Sequence, residues 1–192
     1  MSEPAANQIP DLLNAIQRDM VQQGIDLLLA FHDGAHFIEK PNAVMVLSGF
    51  KSLGHALVIL TREGTATLVV TPSWDLERAA DTSCIKNTVG ADDIVSALAD
   101  RLARHPPEPS CVATAGLASM PWTIEERVKN LLCAQPRTAE QIVFGNTRRK
   151  NTEQIARARH ASEIAEKVMS GSSKSHGPAC ARMISRWSCN ST

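Results

Sequence analysis

The sequence offers little to charge-seeking or membrane partners. Its Lys and Arg number 20 and its Asp and Glu 20, so the formal net charge is zero, and no global field draws it toward nucleic acid or anionic lipid. No apolar run approaches the roughly 18 residues of a membrane span. The polar, acidic start lacks the basic-then-apolar pattern of a secretion signal, and the chain reads as cytoplasmic, with no membrane and no nucleic-acid partner. The five cysteines (Cys84, Cys111, Cys133, Cys180 and Cys189) are odd in number and contain no C-x-x-C pair. That argues against both a disulfide framework and a zinc knuckle. Also missing are the G-x-S-x-G elbow of serine hydrolases, the G-x-G-x-x-G fingerprint and any phosphate loop. Tyrosine is absent and aromatic residues make up only 4% of the chain. The basic cluster Arg148, Arg149, Lys150, Arg157, Arg159 and His160 therefore has no interleaved aromatics and, with Glu153, Glu163 and Glu166 nearby, reads as a solvated linker face.

What is present is ordinary for a folded chain: 43% hydrophobic and 21% charged residues over 192 positions, room for one large or two small domains. Pro10 and Asp11 suit the first turn of a helix whose apolar face is Leu12, Leu13, Ile16, Met20 and Val21, and Gly24 should end it. Ile25 to Phe31, too short for a helix between its turn residues, reads as a buried, central strand. A second short apolar run, Ala43 to Leu47, is closed by Ser48-Gly49. His55 to Thr61 and Thr65 to Thr71 predict two strands joined by Arg62-Glu63-Gly64, the clearest hairpin of the chain. A short helix over Ser73 to Ala80, a brief run over Cys84 to Val89, a helix over Asp92 to Ala103, a strand over Cys111 to Ala115 and a helix over Pro121 to Cys133 follow. Strands interleaved with helices around one hairpin indicate an α/β fold with a mixed sheet of five or six strands. A further helix is expected over Asn151 to Met169. Residues 170–192 carry seven serines and no Asp or Glu, and read as a disordered tail.

Three stretches together resemble the N-terminal domain of the creatinase, prolidase and aminopeptidase P family of hydrolases. Gly24-Ile25-Asp26-Leu27-Leu28-Leu29 is similar to the family's entry into its first strand. Val46-Leu47-Ser48-Gly49-Phe50, with the hairpin Ala56 to Val70, is similar to its "Y-L-T-G-F" segment and the paired strands after it. Arg148 to Ile155, with the helix through Glu166, is similar to its linker and the first helix leading into the catalytic domain. The similarity covers roughly residues 10 to 168. It implies a layered mixed sheet flanked by helices, with a ribonuclease H-like motif. The domains are expected to be 1–146, the N-terminal α/β domain; 147–169, a linker and helix; and 170–192, an atypical tail. Full-length relatives would hold two divalent metals, such as Mn or Zn, in a C-terminal hydrolase domain. No carboxylate side chain follows Glu166, so no metal or other cofactor and no catalytic residue is expected in this chain, and its end reads as truncated or out of frame.

By resemblance, Phe50, Lys51 and His55 are candidates for a substrate lip over the active site, and Trp74 for an interface, since tryptophan is enriched at binding hot spots. Against this stands a plainer reading, with Phe50 in the core, the other two solvated and Trp74 capping the sheet. Trp122, after Pro121, reads as packing at a helix start. His32-Asp33-Gly34-Ala35-His36 could chelate a metal, but Asp33-Gly34 is also an ordinary turn pair. The function implied is that of a non-catalytic N-terminal domain that shapes an active-site entrance and supports a homodimer. Two alternatives stand beside it: a stand-alone protein-binding module, and a residual metal-dependent hydrolase around His32 and His36.

Overall fold

The sheet is built around Leu27–His32, strand β1, six consecutive buried residues. Such a run needs cover on both faces. In the computed structural model, which describes residues 8–35, 42–104, 111–132, 135–148, 150 and 152–175, that cover is helical. Helix α1, Gln8–Gln22, precedes β1. It ends where the Gly24 and Ile25 N–H groups donate to the Val21 and Met20 carbonyls at 3.2 and 2.8 Å. This paired closure requires a left-handed residue, and Gly24 supplies it with φ 65°, as its position in the sequence predicted.

Two strands follow, β2 (Ala56–Thr61) and β3 (Ala66–Val70), joined by the expected turn. Then come α3 (Leu76–Thr82), β4 (Asn87–Gly90), α4 (Ile94–Arg104), β5 (Val112–Ala115) and α5 (Trp122–Leu132). With a last strand, β6 (Arg137–Thr138), the six-stranded sheet has the order β4-β3-β2-β1-β5-β6. β2 is antiparallel to β1 and β3, while β4 runs with β3, and β5 and β6 run with β1. All strands but β2 therefore point the same way.

Period-two alternation divides the core. Leu28, Ala30, Val58, Leu60, Leu68 and Val70 face one layer with Ile16, Met20, Val44, Leu47, Ile142 and Val143. Leu27, Leu29, Phe31, Leu57, Ile59 and Val69 face the other with Ile94, Leu98, Val128 and Leu132. The result is a mixed sheet between two helical layers.

Some of the structure departs from expectation. The apolar run from Ala43 is a helix, α2 (Ala43–Ser48). Its start is capped by the Asn42 side chain, which accepts from Met45 N–H at 2.7 Å, and Gly49 at φ 69° closes it. Two elements were not foreseen: β6 (Arg137–Thr138) and α6 (Glu140–Gly145). The final helix, α7 (Thr152–Ser175), does not end at Met169 but continues through the first serines of the expected tail. Residues 176–192 of that tail, Asn151 and His36 lie outside the described residues. The chain divides into two units between Arg148 and Arg149. Among the described residues, no helix is long and apolar enough to cross a membrane.

Candidate functional site

In open α/β sheets ligands are bound beyond the carboxyl ends of the strands. Here three segments interlock at that end: the turn after β1, the loop entering β2 and the turn leaving β3. A methyl group on Gly34 would lie 2.6 Å from the Gly54 carbonyl oxygen, and one on Gly54 only 2.2 Å from that of Thr71. Glycine is what lets the three backbones stack. The Thr71 N–H and hydroxyl both donate to the His55 carbonyl at 2.9 Å, and the Ser52 hydroxyl donates to the Gly54 carbonyl at 2.7 Å.

Beneath this rim is a charge that the sequence did not single out. Asp75 is fully buried at 0% exposure. Arg78, one helical turn on, donates from Nε and Nη2 to its two oxygens at 2.7 and 2.6 Å. The third nitrogen, Nη1, donates to the Lys51 carbonyl at 2.9 Å, and the guanidinium lies 4.5 Å from the centre of the Phe50 ring. A buried carboxylate is tolerable only when paired, and the planar fork of arginine pairs it while tying down the loop. In sequence, Asp75 and Arg78 look like any exposed pair in a first helical turn.

The four candidate residues fare differently. Phe50 is 1% exposed and belongs to the core; its ring is part of the support and is not a surface for ligand. Lys51 is exposed and His55 half-buried. Trp74 is 69% exposed and does not cap the sheet. Trp122 is equally exposed at 69%, so its ring does not pack at the start of α5. His32 is buried, with Nδ1 3.5 Å from an Asp33 oxygen. The same Asp33 oxygen accepts from the Ala35 N–H at 2.9 Å, which supports the turn reading. Among the described residues, no three His, Cys, Asp or Glu side chains form a set that could hold a metal ion. They do not fit the metal pair that the resemblance attaches to full-length relatives. Burial pushes the Cys84 thiol up from its ordinary value.

No protein-family model matches the chain, and no curated protein matches it in sequence. Solved structures do match. The prolidase from Pyrococcus horikoshii OT3 superposes with a TM-score of 0.68 at 20% identity, over 87% of this chain and 43% of its own. The prolidase from Pyrococcus furiosus gives 0.64 at 20% identity, over 82% and 44%. This chain thus spans less than half the length of either enzyme. The N-terminal domain of the cytoplasmic peptidase PepQ from Mycobacterium tuberculosis H37Rv gives 0.55 at 14% identity, over 71% of this chain and 98% of the domain. The isolated domain is covered almost completely while whole prolidases are covered in part, and the fold of this chain is that of the creatinase/prolidase-type N-terminal domain.

Proposed function

We propose that the chain acts as the non-catalytic N-terminal domain of an Xaa-Pro peptidase or creatinase-type hydrolase. It shapes the entrance to an active site carried by a C-terminal hydrolase domain and supports association of subunits. The observation that carries this reading is the coverage of 98% of the mycobacterial N-terminal domain, against 43% of the Pyrococcus horikoshii prolidase. Lys51, His55 and Trp74 form the lip of that entrance. The Asp75–Arg78 pair holds their loops in place, which favours a rigid rim over a mobile flap. The likeness to a cytoplasmic peptidase supports a cytoplasmic location. Any divalent metal in the parent reaction belongs to the hydrolase domain, whose activated water would cleave the C–N bond.

The test is direct. The purified chain, incubated with Xaa-Pro dipeptides and Mn²⁺, is expected to release no proline. Release that scales with chain concentration and persists through a second, orthogonal purification would overturn the non-catalytic assignment.

A further inference from the structure

The two edges of the sheet are unlike. β6 is two residues long and carries Arg137, whose Nη1 donates to the Gln23 carbonyl at 2.7 Å; a short, charged edge resists pairing. β4 is Asn87-Thr88-Val89-Gly90, without charge or proline, and among the described residues no strand lies on its outer side. Which backbone groups it turns outward follows from one bond. The Ala91 N–H donates inward to the Val70 carbonyl at 2.9 Å. By the alternation of a parallel ladder, Asn87 and Val89 also face β3, and Thr88 and Gly90 direct their N–H and C=O groups outward. Val89 is 40% exposed. Its side chain forms part of the floor of a groove of about 360 Å³ between β4 and α4.

We infer that this edge is occupied by a second copy of the chain, the two β4 strands pairing antiparallel about a two-fold axis at Val89. In that register Thr88 of one copy and Gly90 of the other exchange both of their hydrogen bonds, so every outward group of the strand is satisfied. The Val89 side chains meet at the axis, where a non-hydrogen-bonded pair brings side chains closest.

Charge selects the same arrangement. Lys86 and Asp92, both exposed, lie three positions on either side of Val89, and pairing about that residue sets each opposite the other in the partner copy. The groove is also lined at one end by Asp92 and by Asp93, which is paired with Arg127, and at the other, from the far end of α4, by Arg101 and Arg104 with Asp100 beside them, leaving that end net basic. An antiparallel pair places the acidic end of one groove beside the basic end of its neighbour. A foreign peptide of one charge would suit only half of it. This inference deepens the subunit-association part of the reading above and rests on it.

Sedimentation of the full chain over a concentration series is expected to show a monomer–dimer equilibrium that shifts toward monomer with added salt. Thr88→Pro removes an outward N–H and leaves the inward ladder intact, a position where proline is tolerated. It should raise the dissociation constant at least about tenfold without changing the thermal melt recorded at a concentration where the unaltered chain is monomeric. Lys86→Asp should weaken the dimer and Lys86→Asp with Asp92→Lys should restore it. A dimer unchanged in a folded Thr88→Pro variant would overturn this edge while leaving subunit association in place; a chain monomeric at every concentration would overturn both. Should Thr88→Pro fail to fold, the charge exchange decides: no loss with the single reversal, or no recovery with the double, refutes the pairing.

Discussion

Arg78 satisfies three groups with one side chain: the carboxylate of Asp75, the carbonyl of Lys51 and the face of the Phe50 ring. Asp75 is 0% exposed, so removing its partner leaves a buried charge, which in proteins costs about 3 kcal/mol or more. Arg78→Ala is expected to lower the unfolding free energy by that order, read as a fall in the urea midpoint at unchanged slope. Arg78→Lys should recover only part of the loss, because an ammonium cannot reach two carboxylate oxygens and a carbonyl in one plane. An unchanged midpoint in Arg78→Ala would show that the pair supports nothing. A second contrast is made by glycines. Gly54→Ala would drive a methyl against the Thr71 carbonyl at 2.2 Å and is expected to cost about 1–3 kcal/mol. Gly145→Ala meets nothing within 4 Å at the end of α6 and should be neutral or stabilise by about 0.5 kcal/mol, both read from denaturant curves. Neither the burial of Asp75 nor the closeness of Gly54 was legible in sequence. Each depends on a carbonyl contributed by another segment, at Lys51 or Thr71, and local spacing carries no record of such partners.

At the scale of elements, what could be read was whatever local chemistry determines. The Arg62-Glu63-Gly64 turn, with Gly64 at φ 97°, and the closure of α1 at Gly24 are set by a backbone conformation that glycine adopts without strain. The stripe Ile94, Val95 and Leu98 is likewise a helix signature, and all three are buried. α2 escaped because five apolar residues in a row have no period to distinguish strand from helix; its capping by Asn42 decides the matter. β6 escaped because two exposed residues, Arg137 and Thr138, become a strand only through pairing with Ala113 and Thr114.

The junction of α4 with α5 is pinned by a pair that titrates. Arg127 donates to both oxygens of Asp93 at 3.2 and 2.5 Å, and the Ser96 hydroxyl adds a bond at 2.7 Å. The Arg127 bonds first, then that of Ser96, hold the Asp93 carboxyl well below the usual carboxylate range. Because the folded value is depressed, the unfolded chain takes up the proton first. The stabilisation is therefore complete above the ordinary value of about 3.9 and is lost as pH falls from there through the folded value. Arg127→Ala should melt below the unaltered chain at pH 7, with the gap narrowing as the pH drops below about 4. A gap independent of pH would assign the effect to lost packing instead.

For the molecule as a whole, the question is which residues the fold needs. Every buried member of either core cluster lies between Ile16 and Val143, and the chain divides between Arg148 and Arg149. The described side chains of α7 are exposed, including Ile164, Val168 and Met169 at 49%, 63% and 72%. The slope of a denaturant transition scales with the surface that unfolding uncovers, and already exposed side chains add little to it. A chain ending at Arg148 is thus expected to unfold in one cooperative transition, with midpoint and slope close to those of the full chain. A chain ending at Thr138 would lose α6, and with it Ala139, Ile142 and Val143 at 0%, 4% and 0% exposure, leaving the α1–α2 layer open to water. It should show a shallower or absent transition and bind a hydrophobic dye. If the Arg148 ending also lost its cooperative transition, the fold would depend on more of the chain than its two cores contain.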